Sequence, residues 1–174
     1  LTLGVWQLNK DYHTKIKRIE FKNFLQENPI SINSVHNTIK TPALVEITGL
    51  LLENKSIYIE PRTYKGQVGY HKITPLKKDN KLFLINRGFI KDKTSKKSNN
   101  KNISIIGIII KIPKKNFLSL KNDIENNKWY TFDIDDLSKF YKFNTKPYII
   151  YEKNNNIDNI FKQVTPNIVS KVNH

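Results

Sequence analysis

The sequence predicts an α+β domain: a mainly antiparallel β-sheet or partial barrel, packed by a long N-terminal helix and a short later one. Three observations carry this. Short runs rich in Ile, Val, Tyr and Leu recur between Gly, Pro, Asn and Asp clusters over residues 43–112, in the rhythm of an antiparallel meander. Residues 6–28 carry apolar side chains at helical spacing. Asp133-Ile134-Asp135-Asp136-Leu137 has the form of a capped helix start. At 174 residues the chain suits one domain with a proper core.

In the predicted first helix, Leu8, Tyr12, Ile16 and Ile19 recur at spacings of four, four and three, and Phe21, Phe24 and Leu25 widen the stripe. Pro29 disfavours helical geometry at Asn28 and ends the element there. Residues 43–52 read as a strand with Val45, Ile47, Gly49 and Leu51 on one face. Glu53-Asn54-Lys55-Ser56 is a turn, and residues 57–60 return as the partner strand, which Pro61 closes. Tyr64 to Gly69 is a glycine-containing loop. Residues 70–76 and 82–90 form a hairpin across Lys77-Lys78-Asp79-Asn80, its second strand ending in an Asn86-Arg87-Gly88 corner.

Residues 91–102 are polar and lysine-rich and read as a mobile loop. Residues 103–112 hold seven isoleucines around Gly107, a density that predicts a central strand buried on both faces; Pro113 stops it. Residues 114–128 are polar and irregular. The aromatic run Trp129 to Phe132 precedes Asp133, the N-cap of a short helix whose apolar face is Ile134, Leu137 and Phe140. Pro147 to Tyr151 is a last strand.

With no cysteine, the chain has no disulfide framework, thiolate zinc site or cysteine nucleophile. His13, His36, His71 and His174 lack metal-ligand spacing, no Gly-Lys-Ser/Thr follows Gly66-Gln67-Val68-Gly69, and no nucleophile–base turn is visible. No catalytic residue and no metal site are expected. Asp133, Asp135 and Asp136 read as a helix cap in preference to a metal cluster. The net charge of +15 is nearly all lysine and travels with abundant Asn and Ile, the signature of AT-rich coding, so nucleic acid is not the expected partner. The rival reading is a basic β-rich module for single-stranded nucleic acid, which needs aromatics exposed along a basic groove.

Only three arginines occur, and two of them, Arg62 and Arg87, flank the hairpin. On one side of it, their guanidinium groups would clamp a carboxylate: one of the protein's own, such as Glu46, Glu60 or Asp133, or one on a ligand. Gly88 reads as a position of positive φ or close backbone approach. The chain starts and stops abruptly, and no run of about 18 apolar residues occurs. It reads as the excised middle of a longer protein, with Trp6 at a water–lipid junction.

A further pattern runs along the chain: Leu3 to Leu8, with Trp6 and Gln7; Glu60-Pro61-Arg62; Gly66; Gly69-Tyr70; Thr74-Pro75-Leu76; Ile85-Asn86-Arg87-Gly88-Phe89; Asn127-Lys128-Trp129 with Asp133; Pro166-Asn167; and Asn173-His174. Taken in order, these segments resemble the surfeit-locus protein one family of cytochrome c oxidase assembly factors. Asn9 or Lys10 stands where the family tends to carry arginine, Phe89 replaces a tryptophan, and Val172 replaces an asparagine.

The resemblance implies a single extracytoplasmic domain, residues 1–174, between two inner-membrane helices that lie outside this sequence. The domain would face the periplasm or the mitochondrial intermembrane space. The implied role is a non-enzymatic chaperone that helps deliver haem a to oxidase subunit one, with haem a synthase as a further partner. His174 matches the family's candidate axial ligand. Arg62 and Arg87 are the candidates for a haem propionate.

Overall fold

A computed structural model of the chain describes residues 19, 21–32, 39–93, 99–112, 119–142, 145–153 and 161–166. Its elements are β1 (Ile30–Ser31), β2 (Ala43–Leu51), a 3₁₀ turn (Glu53–Lys55), β3 (Ile57–Tyr64), β4 (Gln67–Lys78), β5 (Lys81–Ile90), β6 (Lys101–Lys111), α1 (Ile134–Tyr141) and β7 (Thr145–Glu152). Of the long helix expected over 6–28, the described part shows one helical turn at 21–24 followed by a turn at 25–27; most of it, with Trp6 and Gln7, lies outside the described residues. The helix established beside the sheet is the short α1.

The strands form one sheet in the order β1-β2-β6-β7-β5-β4-β3, and β2 also pairs with β4. That extra pairing, Leu50 with Lys77 and Leu51 with Leu76, closes β2, β6, β7, β5 and β4 into a five-stranded barrel. Side chains fill so small a barrel. Val45, Ile47, Leu51, Leu76, Phe83, Ile85, Ile105, Ile109 and Ile150 form this inner core. Alternate residues of the same strands, including Ile73, Leu84 and Ile149, face outward. They pack with Ile57 and Ile59 of β3, Trp129, and Leu137 of α1 as a second core.

The pairing departs from the sequence reading where long-range contacts decide it. β2 does not pair with β3; it pairs along its length with β6, from Ala43–Ile109 to Leu51–Lys101. The β3–β4–β5 meander is present, but β3 does not stop at Pro61. It runs to Tyr64 through an irregularity between Ile59 and Arg62, where a residue without an N–H is tolerated. The loop after it is only Lys65-Gly66, both at positive φ (47° and 79°) as a tight hairpin demands. β6 begins at Lys101, inside the stretch read as loop. It is a central strand as expected, flanked by β2 and β7, but it is not buried on both faces throughout: Ile103, Ile106 and Ile110 are only partly buried, and β6 is most enclosed around Ile105, Ile108 and Ile109. β7 runs antiparallel to β6 but parallel to β5.

The predicted cap is found. Asp133 Oδ1 accepts from the N–H groups of Asp135 (3.0 Å) and Asp136 (3.2 Å), with both carboxylates in the positive first turn of α1. Leu137 is fully buried, and Phe140 meets the Trp129 ring edge-on at 5.2 Å. Pro75 sits where β4 changes partner from β3 to β2, its carbonyl accepting from Leu52 N–H (2.8 Å). Gly69 has no room for a side chain: a Cβ there would run into the Ile90 carbonyl and come within 2.7 Å of the Phe89 ring.

Candidate functional site

The Asn86-Arg87-Gly88 run is a bulge inside β5, not the end of a strand. Ile73 pairs with Asn86 and Lys72 with Gly88, so Arg87 is the extra residue. Gly88 takes φ 121°, which side chains resist, and its N–H donates to Asn86 Oδ1 (3.0 Å). The bulge therefore sends Asn86 to the outer face and Arg87 to the inner one. The flanking strands split in the same way: β4 gives His71 outward and Lys72 inward, and β7 gives Tyr151 outward and Glu152 inward. A two-sided site results, with the sheet as its partition.

The inner side is a buried ion network at one end of the barrel. Arg87 Nε donates to Glu152 Oε2, and Arg87 Nη1 to Glu53 Oε1 at 2.8 Å. Lys72 Nζ donates to the other Glu53 oxygen at 2.7 Å. All four side chains are at most 8% exposed. Two cations meet two carboxylates, so the cluster is neutral. The Phe161 ring covers both cations, 5.2 Å from Lys72 Nζ and 5.4 Å from Arg87 Cζ. Reciprocal backbone bonds between Phe89 and Lys162 (2.8 and 2.9 Å) fasten that segment to β5. Glu53 is held by its 3₁₀ turn: Ser56 Oγ donates to the Glu53 carbonyl (2.8 Å) and lies 2.9 Å from Thr74 Oγ1.

The two carboxylates titrate in opposite directions. Burial opposes the charged form of Glu53, but the Lys72 hydrogen bond and the charges of Lys72 and Arg87 together outweigh it and hold its pKa below the ordinary value. At Glu152 burial prevails over Arg87, and the nearby Glu53 charge adds to it, so that pKa is raised.

The outer side gathers Arg62, His71, Asn86 and Tyr151. Arg62 donates to the carbonyls of Pro61 (2.8 Å) and Tyr130 (3.1 Å). His71 Nδ1 lies 3.4 Å from Asn86 Nδ2, a contact in which the amide donates to a neutral imidazole. Burial first, and the Arg62 charge second, depress the His71 pKa to about 4. Burial raises the Tyr151 hydroxyl, against an Asn86 hydrogen bond and the Arg62 charge. Burial also lowers Arg62.

Arg62 and Arg87 thus do not converge on one carboxylate. They occupy opposite faces, and the partners of Arg87 are Glu53 and Glu152, not Glu46, Glu60 or Asp133. Glu46 accepts from Ser104 (2.7 Å), Glu60 pairs with Lys93 (3.4 Å), and Asp133 caps α1. Gly69, Tyr70 and Pro75 lie on β4, Asn86 and Gly88 on β5, and Trp129 on a segment bridged to Ile59 of β3; His174 lies outside the described residues. Sequence reasoning missed Glu53, Lys72, Glu152 and Phe161. A signal was present for two of them: Lys72 is in phase with Leu76, and Glu152 with Ile150, so strand alternation puts each charge on the core side. Among the described residues no group of three His, Asp or Glu side chains could hold a metal ion, and no helix is long and apolar enough to cross a membrane.

A sequence model of the SURF1 family matches residues 1–174. The chain belongs to the SURF1 family. Curated relatives agree. A SURF1-like protein of Rickettsia felis is 28% identical over 92% of this chain and 74% of its own length. One from Rickettsia prowazekii is 29% identical over 91% and 68%, and one from Dictyostelium discoideum 25% identical over 85% and 70%. The SURF1 family is known for oxidase assembly factors, which supports an assembly role for this chain. In this SURF1-family chain, Asn86, Arg87 and Gly88 form the bulge, and Gly69 packs against Phe89 and Ile90 beside it.

Proposed function

We propose that the chain is the extracytoplasmic domain of a non-enzymatic assembly factor that helps deliver haem a to subunit one of cytochrome c oxidase. The observation that carries this reading is the family match along the whole chain. The domain would lie between two inner-membrane helices, facing the periplasm or the intermembrane space, and would dock subunit one or a haem a synthase. His174 is the proposed axial ligand: a neutral imidazole binds haem iron, and the residue stands at the proposed second membrane boundary. The chain's own part in such a role is binding and orientation. The neutral, enclosed Arg87 network suits a rigid platform, since its cations already have carboxylates. Arg62 is the better placed of the two arginines for a propionate.

The test is to purify the full-length membrane protein with haem a, record its absorption spectrum and haem content, and repeat with His174→Ala. Loss of the haem spectrum supports the ligand role; an unchanged spectrum and content remove His174 from the site. In cells lacking the protein, the expected result is an oxidase subunit one depleted of haem a. Full haem a content there would overturn the delivery role.

A further inference from the structure

We propose that the outer corner formed by Arg62, His71 and Tyr151 is a binding site for an organic carboxylate, with the Arg62 guanidinium as its anchor. The argument begins with charge. Three cations of this region have an acid within 4.0 Å: Lys72 and Arg87 have Glu53, Arg87 also has Glu152, and Lys93 has Glu60. Arg62 has no acidic partner among the described residues. Its two hydrogen bonds go to backbone carbonyls, those of Pro61 and Tyr130. Taking a guanidinium partly out of water costs free energy that a carbonyl dipole offsets less well than a carboxylate does.

The two bonds also orient the fork. Arg62 has five N–H groups, and two are engaged at its Nη atoms, which leaves donors for a planar bidentate acceptor. The groups that face it suit an anion. The Arg62 charge acts on His71 of β4 and on Tyr151 of β7, and neither carries negative charge near neutral pH. Asn86 is neutral, and the segment at 130 contributes the Tyr130 carbonyl. Among the described residues an incoming carboxylate therefore meets one cation, one hydroxyl and one imidazole, with no acid paired to Arg62. Arg62, His71 and Tyr151 are each only partly buried. Arg87 offers the contrast: it is 3% exposed and already holds two carboxylates, so the inner side has no vacancy for a ligand of this class.

The corner stands independently of haem. Its carboxylate can come from the side chain of a cofactor or from an acidic side chain of a polypeptide, and only the first of these rests on the delivery role above. The experiment uses the ¹⁵N-labelled 174-residue chain and follows the Arg62 Nε–H and His71 ring resonances near neutral pH. Sodium propionate is titrated against sodium chloride at equal ionic strength. Saturable displacement of both resonances by propionate, with little effect of chloride, is expected. Equal effects of the two salts, or a displacement that never saturates, overturn the site. Arg62→Gln should abolish the response at His71. Arg62→Lys, which keeps the charge and loses the fork, should weaken it several-fold; a response equal to that of the parent chain overturns the role of the guanidinium.

Two further arms separate the sources. Metal-free protoporphyrin in detergent is compared with its dimethyl ester, and a glutamate-rich peptide with its glutamine counterpart. Competition by the porphyrin diacid alone points to a cofactor, and competition by the acidic peptide alone to a protein partner. If neither acid competes with propionate, the corner is not a recognition site. With no iron in the probe, failure here leaves the His174 reading untouched, and failure of His174 leaves this site untouched.

Discussion

The two faces of the β5 bulge solve the problem of a sheltered arginine in different ways. On the inner face Arg87 is buried with two carboxylates, and a lysine and an aromatic ring complete the cluster. On the outer face Arg62 leans on two carbonyls beside a neutral histidine and a tyrosine. A buried ion network costs much to desolvate and gains little net stability over apolar packing, but losing one member strands the others. An arginine at a half-open corner carries no such liability. The inner cluster therefore belongs to the fold, and the outer corner is where substitution should change properties without unfolding the barrel.

The largest expected effect is Arg87→Met. It leaves Glu53 and Glu152 together with Lys72 as the one cation still hydrogen-bonded to them among the described residues, and should cost about 3–5 kcal/mol. Urea denaturation near neutral pH measures it. A loss below about 1 kcal/mol would mean that the cluster is hydrated in solution and the contrast between the faces is false. Gly88→Ala comes next, because φ 121° is strained for any side chain; about 1–3 kcal/mol should be lost on the same measurement.

A pH series sharpens the comparison. His71 has a folded pKa of about 4 against an ordinary 6.5, so its neutral state contributes stability that is complete above 6.5 and lost as pH falls through about 4. Glu53 also has a lowered pKa, so its contribution is present above 4.5 and fades below that as the carboxylate is protonated. Glu152 has the opposite sign: its raised pKa gives a contribution that is present below 4.5 and is lost as pH rises through the folded value. Denaturation midpoints followed across this range should show the outer face giving way first on acidification. His71→Gln should flatten the stretch between 6.5 and about 4 and leave the Glu53 stretch in place. If it flattens neither, His71 is not held neutral by the fold.

The smallest stability effect is expected for Arg62→Gln, within about 1 kcal/mol, as for a partly exposed polar group. Its signature is electrostatic instead. Removing the charge should raise the His71 pKa above about 4, short of 6.5 because burial remains. NMR titration of the imidazole reads it, and an unmoved His71 would separate the two residues.

Much of this was legible in the residues because it depends on neighbours in sequence. Asp133 followed by two acids and a Leu137–Phe140 stripe makes a capped amphipathic helix wherever it packs. The isoleucine run around Gly107 makes a strand. Asn-Arg-Gly marks a backbone irregularity, since only glycine accepts the φ that Gly88 adopts. The β3–β4–β5 meander follows from short connections. The partners of Arg87 were not legible, because Glu53 reads as an ordinary turn residue and Glu152 as the end of a strand. They lie 34 and 65 residues from Arg87 in the chain.

The sequence by itself determined the local periods, the cap, the glycine at positive φ and the family. The tertiary structure alone decided that β2 closes on β4, that β5 and β7 run parallel, and that Arg62 and Arg87 part company across the sheet. The physical reason is that strand periodicity says which residues share a face, whereas the choice of partner strand is a competition among distant segments for the same hydrogen bonds and the same buried area.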